Sequence, residues 1–124
     1  MTFCLGIKTE QGLVGIADTR ITTGTERLTA RKVSIHEYGE RPLFVMTSGL
    51  RSVRDKALTY FDEVIDESEH SFDRLYKAVN ALAKQIGRVA KEDEKALKKA
   101  GLRFNLHTLV GGQLENDDEH RLYM

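Results

Sequence analysis

The apolar residues of this chain change their spacing twice, and that double change limits the folds open to it. Up to about residue 50 they fall in short runs or alternate with polar residues, as β-strands require. Residues 2–8 read as a short strand, and Thr9-Glu10-Gln11-Gly12 turns it into the nearly continuous apolar run 13–17, which ends at Asp18. Residues 22–25 are expected to form a loop. Residues 31–38 alternate, with Val33 and Ile35 set against Lys32, Ser34 and His36. Residues 39–42 are expected to turn the chain into a buried strand at 43–46. Helical spacing then takes over, first in Val53, Ala57, Phe61, Val64 and Ile65, then in Leu75, Val79, Leu82, Ile86 and Val89. Ser71 is expected to cap the second helix, with Asp73 in its first turn and the charged run 91–99 as a solvated extension that stops at Gly101. Residues 102–114 return to β, Asn116-Asp117-Asp118 is expected to be a hairpin turn, and Arg121 begins the partner strand. Strands, two helices and further strands predict an α+β chain, with antiparallel sheet layered against helices.

A length of 124 residues allows one domain at most. Nineteen Lys and Arg balance nineteen Asp and Glu, so no bulk field draws nucleic acid or an anionic membrane, and neither partner is expected. A single cysteine, Cys4, excludes an internal disulfide and fits a reducing compartment. With no secretory leader pattern and only short apolar runs, the expected location is cytoplasmic. The closing residues Arg121-Leu122-Tyr123-Met124 look like a strand without a cap or turn behind it, and the expectation is that the chain is truncated there.

The chemistry begins at Thr2. Removal of Met1 would leave Thr2 with both a hydroxyl nucleophile and, in its free α-amine of pKa about 7.7–8.0, a base. Such a nucleophile needs a cation that holds the amine's pKa down and steadies an alkoxide, and a carboxylate that fixes the cation. Lys32 and Asp18 are the candidates; taken singly, Asp18 also reads as a turn or strand-end cap and Lys32 as an edge-strand solubiliser. Gly49, between a strand and a helix, is the candidate oxyanion donor, or a residue that merely eases the turn. Cys4 reads as a small core residue. Four scattered histidines offer no ligand spacing, so no metal and no cofactor is expected. Gly111-Gly112 reads as a packing or bulge feature.

Taken in order, Thr2, Ala17-Asp18-Thr19-Arg20, Thr22, Gly24, Arg31-Lys32-Val33 and Ser48-Gly49 resemble a proteasome β-type subunit. The start Met1-Thr2-Phe3-Cys4 and the stretch from Phe104-Asn105 to Leu109-Val110-Gly111-Gly112-Gln113 look closer to the bacterial ancestral β-subunit (Anbu) group. Ala30-Arg31-Lys32-Val33 is also similar to the peptidase partner of a bacterial unfoldase ring. The resemblance implies an N-terminal-nucleophile hydrolase sandwich and a threonine endopeptidase. In it Thr2, Asp18, Lys32 and Gly49 would be catalytic, and Thr22, Gly24, Thr47 and Arg51 would bind the peptide. Arg51 departs from the small residue common there. The resemblance further implies a peptide or unfolded-protein substrate and a homo-oligomeric ring or spiral, and it leaves open whether an ATPase partner exists. Such subunits are about twice as long, and only their N-terminal half is matched; the alternatives are therefore a truncated or non-catalytic assembly subunit, and an amidase acting on small amides.

Overall fold

The computed structural model describes residues 2–23, 25–38, 41–67 and 72–124, with residues 22, 23 and 38 described through their backbone only. Its first element is a hairpin of β1 (Cys4–Lys8) and β2 (Leu13–Ala17), paired antiparallel with Leu5 opposite Ile16 and Gly6 opposite Gly15. The expected turn closes it: Thr9 N–H donates to the Gly12 carbonyl at 2.9 Å, while the Thr9 hydroxyl oxygen accepts from the amides of Gln11 and Gly12.

The expected loop at 22–25 is corrected at residues 22 and 23, which belong to a strand, while Thr25 stays in the turn. β3 (Arg20–Thr23) and β4 (Glu26–Thr29) form a second antiparallel ladder, with Arg20 opposite Thr29, and residue 24 lies outside the described residues. Threonine and isoleucine favour an extended backbone, but β4 is exposed throughout. With no buried face, β4 carries no apolar alternation to read.

A four-stranded antiparallel sheet follows in the order β5 (Val33–Tyr38), β6 (Arg41–Gly49), β7 (Leu106–Gly112), β8 (Arg121–Tyr123). β6 is longer than expected at both ends: Arg41 and Pro42 already pair with Tyr38 and Glu37, and Gly49 pairs with Leu106. Pro42 is tolerated because it stands near the start of its strand. Residues 39 and 40 of the expected turn lie outside the described residues.

The two faces of this sheet are covered differently. Leu43, Val45 and Val110 bury against helices α1 (Arg51–Glu67) and α2 (Leu75–Lys99), through Leu58, Phe61, Leu75, Ala78 and Leu82. The opposite face, carrying Phe44 and Met46, takes the β1–β2 hairpin. Gly6 and Gly15 allow that approach: a Cβ at Gly15 would stand 3.1 Å from the Phe44 ring, and one at Gly6 2.9 Å from Leu122. Gly111 likewise lies flat against the Phe44 ring, in line with a packing role. The hairpin's outer face presents Leu5, Ile7, Val14 and Ile16, all exposed.

The start of α2 differs from expectation. Ser71 lies outside the described residues, and Asp73 precedes the helix instead of sitting in its first turn. The Leu75 amide donates to Asp117 Oδ2 at 2.9 Å, so the β7–β8 turn supplies the cap from across the fold. Asn116 completes the link through Asp73, whose carboxyl is held down at about 2 by Lys77 and Asn116. The C-terminus of α2 ends as expected, with Gly101 at φ +72° and Leu102 N–H bonded to the Leu97 carbonyl at 2.8 Å. Within the charged run 91–99, however, Leu97 is buried, and Glu92 and Asp93 pair with Lys56 of α1 at 2.8 and 2.7 Å. That face is therefore an inter-helix seam as much as a solvated one.

Candidate active site

The end of β2, the start of β1 and the approach to β5 converge on Asp18. Its Oδ1 accepts from the Phe3 amide at 2.9 Å, while its own amide donates to the Phe3 carbonyl at 3.0 Å. Lys32 Nζ, on a residue only 8 % exposed, donates to both carboxylate oxygens of Asp18 at 2.9 and 3.0 Å. The same nitrogen lies 3.3 Å from Thr2 Oγ1. Sequence spacing of 14 and 30 residues thus collapses into one line of carboxylate, ammonium and hydroxyl. The hydrogen bond from Lys32, followed by that from the Phe3 amide, holds the Asp18 carboxyl down at about 2. Asp18 is accordingly ionised over the physiological range and pins the lysine.

Thr2 and Lys32 open onto a cavity of about 210 Å³ that Thr47, Ser48, Gly49 and Arg51 also line. Gly49 adopts φ +124°, and a Cβ there would run into the Asn105 carbonyl, so this position accepts only glycine. Gly49 lines the cavity wall from the end of β6. Thr47 is buried, and its hydroxyl accepts from Arg54 Nε at 2.8 Å. Arg51 opens α1 and leans toward Asp55 at 3.6 Å. Five of the eight expected residues therefore border one cavity, with Asp18 directly behind Lys32. Thr22 lies in β3 opposite Arg27, one residue from Ile21, which borders the cavity; Gly24 lies outside the described residues.

Cys4 faces inward and lends its thiol weakly to the Thr47 carbonyl at 3.6 Å. Burial, then the Asp18 charge, pushes its pKa up, which keeps it a thiol and not a nucleophile.

Two features went unread in the sequence. Arg20, Arg31 and Arg54 line the same cavity. Arg20 and Arg31 stand close to Asp18 and Lys32 in the chain, and Arg54 stands three residues from Arg51 on one helix face, but nothing in that spacing shows that they converge on one cavity. The second feature is Ser34-His36-Asp62. His36 Nδ1 is 2.6 Å from Asp62 Oδ1, Nε2 is 2.9 Å from Ser34 Oγ, and the ring packs edge-on against Phe61 at 5.3 Å. With the carboxylate accepting from Nδ1–H, Nε2 accepts from the serine hydroxyl. This trio ties β5 to α1 and does not border the cavity. Among the described residues no cluster of His, Cys, Asp and Glu is placed to hold a metal, and no helix is long and apolar enough to cross a membrane.

No family model and no curated protein matches the chain. Solved structures do. Anbu (ancestral beta-subunit) from Yersinia bercovieri superposes with a TM-score of 0.80 at 23 % identity, over 98 % of this chain and 51 % of that one. The helical assembly of the Anbu complex from Pseudomonas aeruginosa gives 0.79 at 24 %, over 94 % and 49 %. The Anbu (Gly-1) mutant from Hyphomicrobium sp. strain MC1 gives 0.79 at 17 %, over all of this chain and 56 % of that one. The chain spans about half the length of the structures it matches. In fold, with two helices and antiparallel sheets, the chain is similar over 94–100 % of its length to these Anbu (ancestral beta-subunit) structures.

Proposed function

We propose that residues 1–124 form one proteasome-type domain of the N-terminal-nucleophile hydrolase class, part of a threonine endopeptidase subunit. The observation that supports this best is the line Asp18–Lys32–Thr2 at the mouth of a cavity shared with Gly49.

In this reading Met1 is removed and Thr2 becomes the N-terminus. Thr2 Oγ attacks the carbonyl carbon of the scissile peptide bond, and the Thr2 α-amine takes the hydroxyl proton. The Lys32 ammonium disfavours prior protonation of that amine and steadies charge on Oγ, with Asp18 as its positioning residue. The Gly49 N–H receives the oxyanion. The tetrahedral intermediate collapses to an acyl ester on Thr2; the C–N bond breaks and the leaving amine takes the proton. Water then adds to the ester, gives a proton to the α-amine, and releases the acid with the Oγ–H restored. A peptide would lie extended along the cavity by main-chain pairing, with residues 22, 24 and 47 beside it. A cytoplasmic location and a ring or spiral of identical subunits belong to the same reading, which leaves an ATPase partner open.

Hydrolysis of a fluorogenic peptide tests it, together with the intact mass of the purified protein. Loss of Met1 and cleavage that vanishes in Thr2→Ala but persists in Cys4→Ser are expected. Cleavage retained in Thr2→Ala would sink the proposal.

A second reading, a non-catalytic assembly subunit, draws on the exposed aliphatic face Leu5, Ile7, Val14 and Ile16, which a further layer could cover. Its signature would be a large complex by size-exclusion mass with no peptide cleavage.

A further inference from the structure

The walls of the cavity beside Thr2 carry one sign of charge. Arg20 comes from β3, Arg31 and Lys32 from the approach to β5, and Arg51 and Arg54 from the first turn of α1, while among the described residues no carboxylate lines the cavity. The chain as a whole is neutral, so this concentration is local.

The nearby acids are already committed. Asp18 is bound to Lys32 through both oxygens. Asp55 holds Arg54 NH1 at 2.8 Å and Arg51 Nε at 3.6 Å. Among the described residues, Arg20 and Arg31 have no carboxylate within ion-pair distance. Arg54 is a fixed cation: Nε donates to Thr47 Oγ1 at 2.8 Å, and NH2 donates to the Arg31 carbonyl at 3.1 Å. Those bonds also lock the Arg31 backbone and the base of the cavity together. The N-terminus of α1 opens at the same wall, and its amide dipoles add to the positive potential.

At about 210 Å³ the cavity is smaller than the roughly 300–1,000 Å³ of a small-molecule site, and suits a single side chain. We infer that it selects an acidic side chain, so that peptides are bound, and cleaved, after glutamate or aspartate. The inference rests on the peptidase reading for the cleavage, but the recognition follows from the cavity itself. Guanidinium groups hold carboxylates through paired, charge-assisted hydrogen bonds that an amide isostere cannot match. A lysine or arginine side chain would meet Arg20 and Arg31, which have no carboxylate partner among the described residues, beside three further cations already paired with Asp18 and Asp55. The preference is partly electrostatic and should weaken with salt.

The test has two arms. In the first, acetylated tetrapeptides ending in Glu, Gln or Lys are titrated against the full chain by calorimetry, which needs no catalysis. The Glu peptide is expected to bind about 10-fold or more tighter than the Gln peptide. The double variant Arg20→Gln/Arg31→Gln should bring that ratio close to unity, and Arg20→Lys/Arg31→Lys should restore part of it. Equal binding of the Glu and Gln peptides, or a ratio untouched by the double variant, overturns the inference. In the second arm, fluorogenic substrates differing only at the residue before the scissile bond report kcat/KM. Glu-selective binding without any cleavage would leave the acidic pocket standing and count against the peptidase reading. Cleavage with no preference for Glu over Gln would do the reverse.

Discussion

Two side-chain trios stand near β5, and on paper they look alike. Asp18, Lys32 and Thr2 run from carboxylate to ammonium to hydroxyl; Asp62, His36 and Ser34 run from carboxylate to imidazole to hydroxyl. The second has the shorter contacts and the residue types of a serine hydrolase. Yet His36 is buried against Phe61, and its trio does not open onto the cationic cavity, whereas Thr2 sits on that cavity's wall with Gly49. Hydrogen-bonded order alone does not make a catalytic site. A reacting carbonyl also needs room beside the hydroxyl and a donor on its far side. By that standard the Thr2 trio fits the proposed chemistry, and the Ser34 trio a clamp between an edge strand and a helix.

The contrast can be broken in several ways, and the largest effect should fall on the nucleophile. Thr2→Ala should lower peptide cleavage by about 10³-fold or more, while Ser34→Ala leaves it near wild type, measured as kcat with one fluorogenic substrate. Equal losses would erase the distinction. Next, Lys32→Met should cost about 10²–10⁴-fold in kcat, the span of a lost acid–base helper. A readout beyond activity is the pH–rate profile, whose lower limb should shift because the Thr2 amine loses its neighbouring charge.

The clamp should reveal itself in stability. His36→Ala removes two hydrogen bonds and a ring contact, and should destabilise by about 1–3 kcal/mol in urea denaturation without changing the kcat of the folded fraction. Ser34→Ala should cost less, about 0.5–1.5 kcal/mol. The smallest effect concerns acid. The Asp18 carboxyl is held at about 2, below its ordinary value, so the stability it contributes is present above pH ~4 and is lost as pH falls through about 2. Asp73 and Glu92, also held at about 2, share that direction. Urea midpoints between pH about 5 and 2 should therefore fall for wild type, and fall less steeply for Asp18→Asn; parallel curves would remove Asp18 from the account.

How much of this was legible depends on which physical signal each element carries. The helices and the strands facing them were plain, because Leu43, Val45, Phe61 and Leu82 in one buried cluster, and Val53 and Val89 in a second, must repeat at fixed spacing to meet there. The β3–β4 ladder was not, since β4 is exposed along its length and carries no buried, periodic face. The cap on α2 was unreadable for another reason: Asp117 reaches Leu75 from 42 residues away. Thr2, Asp18, Lys32 and Gly49 could be named from their order and residue types, and the fold brings Thr2, Lys32 and Gly49 to one cavity with Asp18 behind them. The cationic cavity needed three dimensions, because Arg20, Arg31 and Arg54 become neighbours only when β3, β5 and α1 meet. The Ser34–His36 pair was visible as two residues on one strand face, but Asp62 lies on α1, and only packing brings it there.

The most direct test of Thr2 as nucleophile is to locate the acyl group itself. The protein is treated with a peptidyl β-lactone, which acylates a nucleophile and turns over slowly, then digested and mapped by tandem mass spectrometry. The predicted result is acylation at Thr2 in a chain that has lost Met1, with none in Lys32→Met under the same exposure. An acyl group on Ser34 or Cys4 instead, or equal labelling of Thr2→Ala and wild type, would contradict it.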